Sequence, residues 1–334
     1  MANEIAKRDF LAKSIGLSAV LAAGFGSGSA LAQSSEVSPR ATGTDALGRR
    51  LGAGAGRRKD IPRRTARTTK LFLTPPGWPN AIDIDHDRGR GFWVQEQRHD
   101  NKQEAAWLLD WNGKLLHTVM TNSKDTSGMC YGAGCIWSGA NGGSEIDHPN
   151  PPINGVFQTD MDGKQISHHQ IPFGPKNDGG ACHGMAWQPD AGKIWIDANR
   201  LGSLVRIDPK TWEVDYMFLT TRQPGLAERL HGIEYDDGFI WQVTGHQKEG
   251  TTGYDGYTPG LIKYEIATGE VVEIVEFEPG SCDMHDVCIN KGQLYGVDAG
   301  EHPGWTIDNP AYQRPGWPPL NSPSAGWVFK IDLI

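Results

Sequence analysis

From residue 70 to residue 334 the chain repeats one pattern of apolar and polar positions. A short strand opens on a polar residue and turns apolar: Asn80-Ala81-Ile82-Asp83, Ser127-Gly128-Met129-Cys130, His183-Gly184-Met185-Ala186, His231-Gly232-Ile233-Glu234 and His285-Asp286-Val287-Cys288. A Gly-containing turn leads from each into a second strand with an aromatic at a fixed place: Trp93, Trp137, Trp195, Trp241 and Tyr295. The third strand ends in an acid and usually a turn, as in Leu108-Leu109-Asp110-Trp111-Asn112-Gly113 and Phe157-Gln158-Thr159-Asp160-Met161-Asp162-Gly163. A fourth strand follows in the first four units, for example Glu270-Val271-Val272-Glu273-Ile274-Val275. The openings lie 47, 56, 48 and 54 residues apart. Four strands in about 50 residues is the signature of a propeller blade, so the pattern predicts an all-β fold, a five-bladed β-propeller.

The fifth unit ends at Ile334, one strand short. Lys70-Leu71-Phe72-Leu73-Thr74 has no other partner, and as an N-terminal strand it would complete that unit and remove two open sheet edges. Six blades, with a degenerate one in 34–70, is the alternative count. That segment is rich in Arg and Gly and lacks strand alternation.

Charge divides the chain further. Residues 34–70 carry ten Lys and Arg against Glu36, Asp45 and Asp60, a net +7, whereas the chain from residue 71 onward carries −16 of an overall −8. An acidic body repels phosphate backbones, which argues against nucleic acid as a partner. The basic stretch, 33–69, is expected to be a disordered linker.

Residues 1–32 read as an export signal. Lys7-Arg8 precede the apolar run Ile15 to Ala23, and Ala30-Leu31-Ala32 supplies small residues for cleavage. The pattern is similar to a twin-arginine signal with Lys7 at the first arginine. The run is too short for a stable membrane anchor. The expected location is periplasmic or secreted, with 70–334 as the propeller domain. In such a compartment Cys130 and Cys135, flanking a Tyr-Gly-Ala-Gly turn, are candidates for a bridge within a hairpin.

The chemistry is expected where the repeat converges. First strands of a propeller are innermost, so the residue opening each one points toward the axis at one mouth. Three of those five positions are His183, His231 and His285, a facial set suited to a divalent metal that keeps positions open for water and substrate. Loops on the same face carry the rim. Among them His246 and Glu301 are candidates for a general base or an added ligand, and Arg200 suits a carboxylate through its guanidinium fork.

The stretches His183-Gly184-Met185, His231-Gly232-Ile233 and Leu261-Ile262-Lys263-Tyr264-Glu265-Ile266-Ala267-Thr268-Gly269 resemble the blade pattern of the virginiamycin B lyase and gluconolactonase-like propellers, over most of 71–334. The resemblance implies a divalent metal or catalytic histidines at the propeller mouth, and lyase or lactonase chemistry. Bacterial and plant glutaminyl cyclases are similar in blade number and export, and act through a carboxylate. No nucleophile elbow, phosphate-cradling loop or dinucleotide fingerprint is present, which argues against serine hydrolases, nucleotide enzymes and NAD-dependent dehydrogenases. The expected function is therefore a metal-dependent lyase or hydrolase for a small carbonyl- or carboxylate-bearing molecule. A non-enzymatic binding or scaffold propeller and a glutaminyl cyclase-like acyltransferase are the alternatives.

Overall fold

The computed structural model describes residues 50–51, 60–98, 103–144, 153–169, 182–198, 201–226, 229–245, 259–278, 284–298 and 326–334. The expected export signal, Cys282 and the rim residues Arg200, His246 and Glu301 lie outside the described residues. Among the described residues there is no α-helix, and the architecture is all-β.

In chain order the strands are β1 (Arg50–Leu51), β2 (Arg63–Leu73), β3 (Pro79–Ile84), β4 (Gly91–Glu96), β5 (Glu104–Asp110), β6 (Leu115–Thr121) and β7 (Thr126–Gly132). They continue with β8 (Cys135–Ser144), β9 (Ile153–Thr159), β10 (Gln165–His169), β11 (Met185–Gln188), β12 (Lys193–Ala198), β13 (Ser203–Ile207) and β14 (Val214–Leu219). The last are β15 (Arg229–Asp236), β16 (Phe239–Gly245), β17 (Gly260–Glu265), β18 (Glu270–Phe277), β19 (Met284–Asn290), β20 (Gln293–Asp298) and β21 (Trp327–Leu333).

β3 to β6 and β7 to β10 are two four-stranded meanders, and β11 to β14 form a third to which β1 adds in parallel at Tyr216 and Met217. An eight-stranded sheet runs β15-β16-β17-β18-β2-β21-β20-β19. The first strands touch one another in turn: β3 with β7, β7 with β11, β11 with β15, β15 with β19, and β19 with β3. The result is propeller-like, with first strands around an axis and fourth strands outside.

The fixed aromatic of each second strand is the packing unit. Trp93, Trp137, Trp195 and Trp241 are all buried, each packed between neighbouring four-stranded units. Three of the indoles satisfy their N–H within their own unit: Trp137 donates to Gly132 O (3.1 Å), Trp195 to Gln188 Oε1 (2.9 Å) and Trp241 to Asp236 Oδ2 (3.0 Å). A buried aromatic with its polar edge bonded keeps the full hydrophobic gain. The acid ending the third strand caps the next turn. Asp110 Oδ1 accepts from Asn112 N (2.8 Å) and Lys114 N (2.9 Å) while Gly113 takes a φ of 85°. Asp160 repeats the arrangement with Asp162 N and Lys164 N.

The N-terminal strand is longer than its sequence suggests. β2 pairs antiparallel with β21 from Ala66↔Leu333 to Leu73↔Trp327, and before that parallel with β18 from Arg63↔Ile274 to Ala66↔Phe277. The expected linker over 33–69 is therefore corrected at its end, because residues 63–69 are strand. The physical reason is a distant acidic edge. Arg63 pairs with Glu276, Arg64 with Glu273 (3.4 Å) and Arg67 with Glu278 (3.1 Å). Exposed pairs contribute little each, about 0–1 kcal/mol, so they select the partner edge while the backbone ladder holds it.

The cysteine expectation is also corrected. Cys130, Cys135, Cys182 and Cys288 are buried free thiols. Cys130 stands opposite Trp137 and Cys135 opposite Gly132, so the two are offset by two residues along the hairpin. That offset is about 7 Å along the strand, too far for a disulfide.

Candidate functional site at the axial mouth

Four of the five opening residues share one local device. Register breaks bracket Asn80 (Pro79/Ala81), Ser127 (Thr126/Gly128), His231 (Leu230/Ile233) and His285 (Met284/Asp286), while His183 precedes β11 and donates its amide to Asp197 O (3.2 Å). A bulge turns one side chain out of the pleat, here toward the axis. The small residue that follows lets the strands converge. A Cβ on Gly128 would stand 2.9 Å from Gly184 backbone, and one on Gly184 would stand 2.8 Å from Gly232 Cα. The recurrent His-Gly pair is thus one residue re-aimed and one removed.

Three of the expected site residues meet. The rings of His183 and His231 are 5.1 Å apart between centroids, and those of His231 and His285 are 4.6 Å apart. His231 and His285 are buried. The imidazoles form a row along one arc of the mouth, with Asn80 next in line.

Their tautomers follow from a chain of hydrogen bonds with one polarity. Asp125 Oδ1 accepts from Gln97 Nε2 (2.7 Å), Gln97 Oε1 accepts from Asn80 Nδ2 (2.9 Å), and Asn80 Oδ1 lies 2.5 Å from His285 Nδ1. Only a protonated Nδ1 serves that oxygen, so the basic lone pair of His285 is on Nε2. His231 Nδ1 lies 2.6 Å from the carbonyl of His285, which imposes the same tautomer. Two adjacent imidazoles thus carry their basic nitrogen at the same ring position, the arrangement found in metal-ligating and proton-accepting histidines.

Below the mouth the axis is acidic. Asp286 takes the place of the small residue, accepting from Ile82 N (3.0 Å) and Val287 N (2.9 Å). Asp83 Oδ2 accepts from Tyr131 N (2.7 Å), and a third carboxylate, Glu234, is likewise buried. Burial, then the neighbouring charge of Asp83, pushes the Glu234 and Asp286 carboxyls well above the ordinary range. Burial likewise pushes up the thiols of Cys130 and Cys288, so neither is a nucleophile.

Repeat comparison missed Asp83, His86 and Glu234, the group of described residues whose ligating atoms all lie within 4.8 Å of one another. The signal was present, since Asp83 and Glu234 stand at the same step after Asn80 and His231. His117 and His168 lie on the fourth strands β6 and β10, away from the mouth.

No family model matches the chain, and no curated protein sequence does. Solved structures do resemble it. Glutaminyl cyclase of Myxococcus xanthus is 10% identical at a TM-score of 0.50, over 82% of this chain and 100% of that one. Hydrazine synthase of Kuenenia stuttgartiensis is 14% identical at 0.42, over 67% of this chain and 56% of that one. A luciferin-regenerating enzyme is 16% identical at 0.40, over 75% and 76% of the two chains. At such identities the glutaminyl cyclase likeness speaks for the propeller-type fold alone.

Proposed function

We propose that the chain is an exported five-bladed propeller enzyme, a lyase or hydrolase acting at the axial mouth on a small carbonyl- or carboxylate-bearing molecule. The observation that carries the reading is the polarised chain from Asp125 through Gln97 and Asn80 to His285. A scaffold needs no such ordering of buried amides, and a proton-accepting nitrogen does. The blade count rests on the cycle of contacts among β3, β7, β11, β15 and β19.

In this reading His285 Nε2 accepts a proton from substrate or from an attacking water. Its Nδ1–H stays on Asn80, which stabilises the imidazolium once formed. His231, its ring tilted beside that of His285, repeats that capacity through its bond to the His285 carbonyl. The neighbouring cationic ring lowers the basicity of the second, so one of the pair carries the proton at a time. By residue type alone, Arg200 would suit a substrate carboxylate, and His246 and Glu301 would serve as further proton carriers.

The donor chemistry also fits a divalent metal, held by His183, His231 and His285. When bound it would polarise a substrate carbonyl or acidify a water. Because glutaminyl cyclase is a similar fold, a peptide with N-terminal glutamine belongs among the substrates tried beside lactones and β-eliminable esters.

The test is a comparison of wild type with His285→Ala and His231→Ala on that panel. The expected loss is about 10²–10⁴ in kcat/KM for any substrate turned over. Full activity in both variants would overturn the mouth as the reacting centre.

A further inference from the structure

At the end of the axis remote from the histidines, the same first strands build a second constellation. Asp83 and Glu234 stand three residues beyond Asn80 and His231, about 10 Å further along the strands. His86 sits in the turn after β3, with its side chain 38% exposed and its Nε2 3.1 Å from Asp83 Oδ1. One ligating atom each of Asp83, His86 and Glu234 lies within 4.8 Å of the other two.

Asp83 and His86 are each held where they are by something else. Asp83 Oδ2 is committed to the Tyr131 amide at 2.7 Å, which turns Oδ1 toward His86. The turn bearing His86 is closed by Gly89 N to Asp85 O (2.7 Å) and by Arg90 Nε to Asp85 Oδ2 (2.6 Å), and the Tyr131 hydroxyl donates to Asp87. A ligand set fixed by its surroundings in this way loses little freedom on binding.

The local charge is unbalanced in the direction a cation would correct. Glu234 is 4% exposed, and Asp83, Asp286 and Asp236, all acidic, act together to disfavour its charge. Among the described residues neither Glu234 nor Asp286 has a Lys or Arg partner. Next to His86, Asp85 is completely buried; Arg90 balances it through Oδ2, while its Oδ1 has no hydrogen-bond partner among the described residues. Buried carboxylates without counter-charge are costly, and such groups are ordinarily paired or coordinate a metal.

We propose that Asp83, His86 and Glu234 bind one divalent transition-metal cation of the Zn²⁺ or Mn²⁺ class. Two carboxylate oxygens and one imidazole nitrogen are a donor set for those ions, and the nitrogen disfavours Ca²⁺ and Mg²⁺. The exposed edge of His86 provides the entry path from solvent. The ion ties β3 to β15, which share no backbone pairing and are separated around the axis by β19. Its role is to hold the ring together, and it is independent of any metal at the mouth.

The experiment uses the purified full-length processed protein, loaded with Zn²⁺ or Mn²⁺, dialysed, and measured by elemental analysis and thermal melting with and without EDTA. Wild type and His231→Ala should hold this ion and melt lower in EDTA. His86→Ala and Glu234→Gln should bind at least tenfold more weakly and lose the EDTA response. His86→Ala removes an exposed turn side chain, so it keeps the test valid if Glu234→Gln folds poorly. Equal metal content and EDTA response in wild type and His86→Ala would overturn the proposal. So would a Ca²⁺-dependent melting shift with none from Zn²⁺ or Mn²⁺, or loss of the ion in His231→Ala alone.

Discussion

Asn80 Oδ1 accepts from His285 Nδ1 at 2.5 Å across 205 residues of chain. The bond joins the first strand of the first unit to that of the last, and it sets the tautomer of the best-oriented base at the mouth. Replacing Asn80 by Ala removes the acceptor that stabilises a protonated His285, so the imidazole becomes a weaker base. We expect kcat/KM to fall about 10- to 100-fold, the range for loss of an outer partner of a functional histidine. The acidic limb of the pH–rate profile, where protonation silences the base, should move to lower pH. Asn80→Asp should restore activity and move that limb upward, since a carboxylate holds the imidazolium more strongly. A uniform loss with an unmoved profile would mean that Asn80 only packs.

A second prediction concerns the axis. Gly184 and Gly232 do not adopt left-handed backbone, so an Ala there is opposed by contact alone. The added methyl on Gly184 would meet Gly232 Cα at 2.8 Å, and on Gly232 it would meet Asp286 Oδ1 at 1.8 Å and Asp286 Cα at 2.5 Å. Gly232 Cα and Asp286 Cα are backbone atoms that no side-chain rotation can move aside, so first strands must separate. Each substitution should cost about 1–3 kcal/mol, measured by denaturant unfolding. Gly134→Ala separates the two causes, because no atom lies within 4 Å of its added methyl and any loss there comes from its φ of 71° alone.

These two sites also show what the sequence could and could not disclose. The repeat was legible because blades share a period, and aligning it brought His183, His231 and His285 to one level without any coordinates. Asp286 was visible only as the one acid in a column of Gly and Ala. Its meaning depends on the Ile82 amide of another unit, which no periodicity encodes. Arg63, Arg64 and Arg67 looked like linker because strand alternation was sought within the segment. Their partners Glu273, Glu276 and Glu278 stand more than 200 residues away. His86 lies in a turn outside the repeated core, so comparison of strands passed over it.

Closure gives a third prediction. β2 is the outer strand of the last unit and also pairs with β18, so its removal opens two edges. Deleting 63–73 should abolish the cooperative melt. Deleting 1–59 removes only the two-residue β1 among the described strands, and should leave a cooperative unfolding transition. Limited trypsin digestion should stop near residue 60, and protection of the ladder residues Arg64 and Arg67 is the point to check by mass spectrometry.

The last prediction comes from Asp197, a carboxylate buried between the third and fourth units. Neither of its oxygens has a hydrogen-bond partner among the described residues, and the facing Gln242 Nε2 makes no bond of normal geometry either. Burial, opposed weakly by Gln242, pushes its pKa up from 3.8 to about 8. The folded protein therefore keeps this proton over a range where the unfolded chain has released it. Between about pH 4 and pH 8 the unfolded state binds fewer protons, so stability falls as pH rises through that window and levels off above it. Glu104, also pushed up to about 8 by burial despite accepting from Arg98 N (2.7 Å) and the Thr126 hydroxyl, acts in the same direction. Asp197→Asn keeps the shape and removes the titration. It should melt several degrees above wild type at pH 7.5 and close to it at pH 4, with a flatter slope between. An identical pH dependence in wild type and variant would show that Asp197 is ionised in the folded protein, held by a partner that offsets its burial.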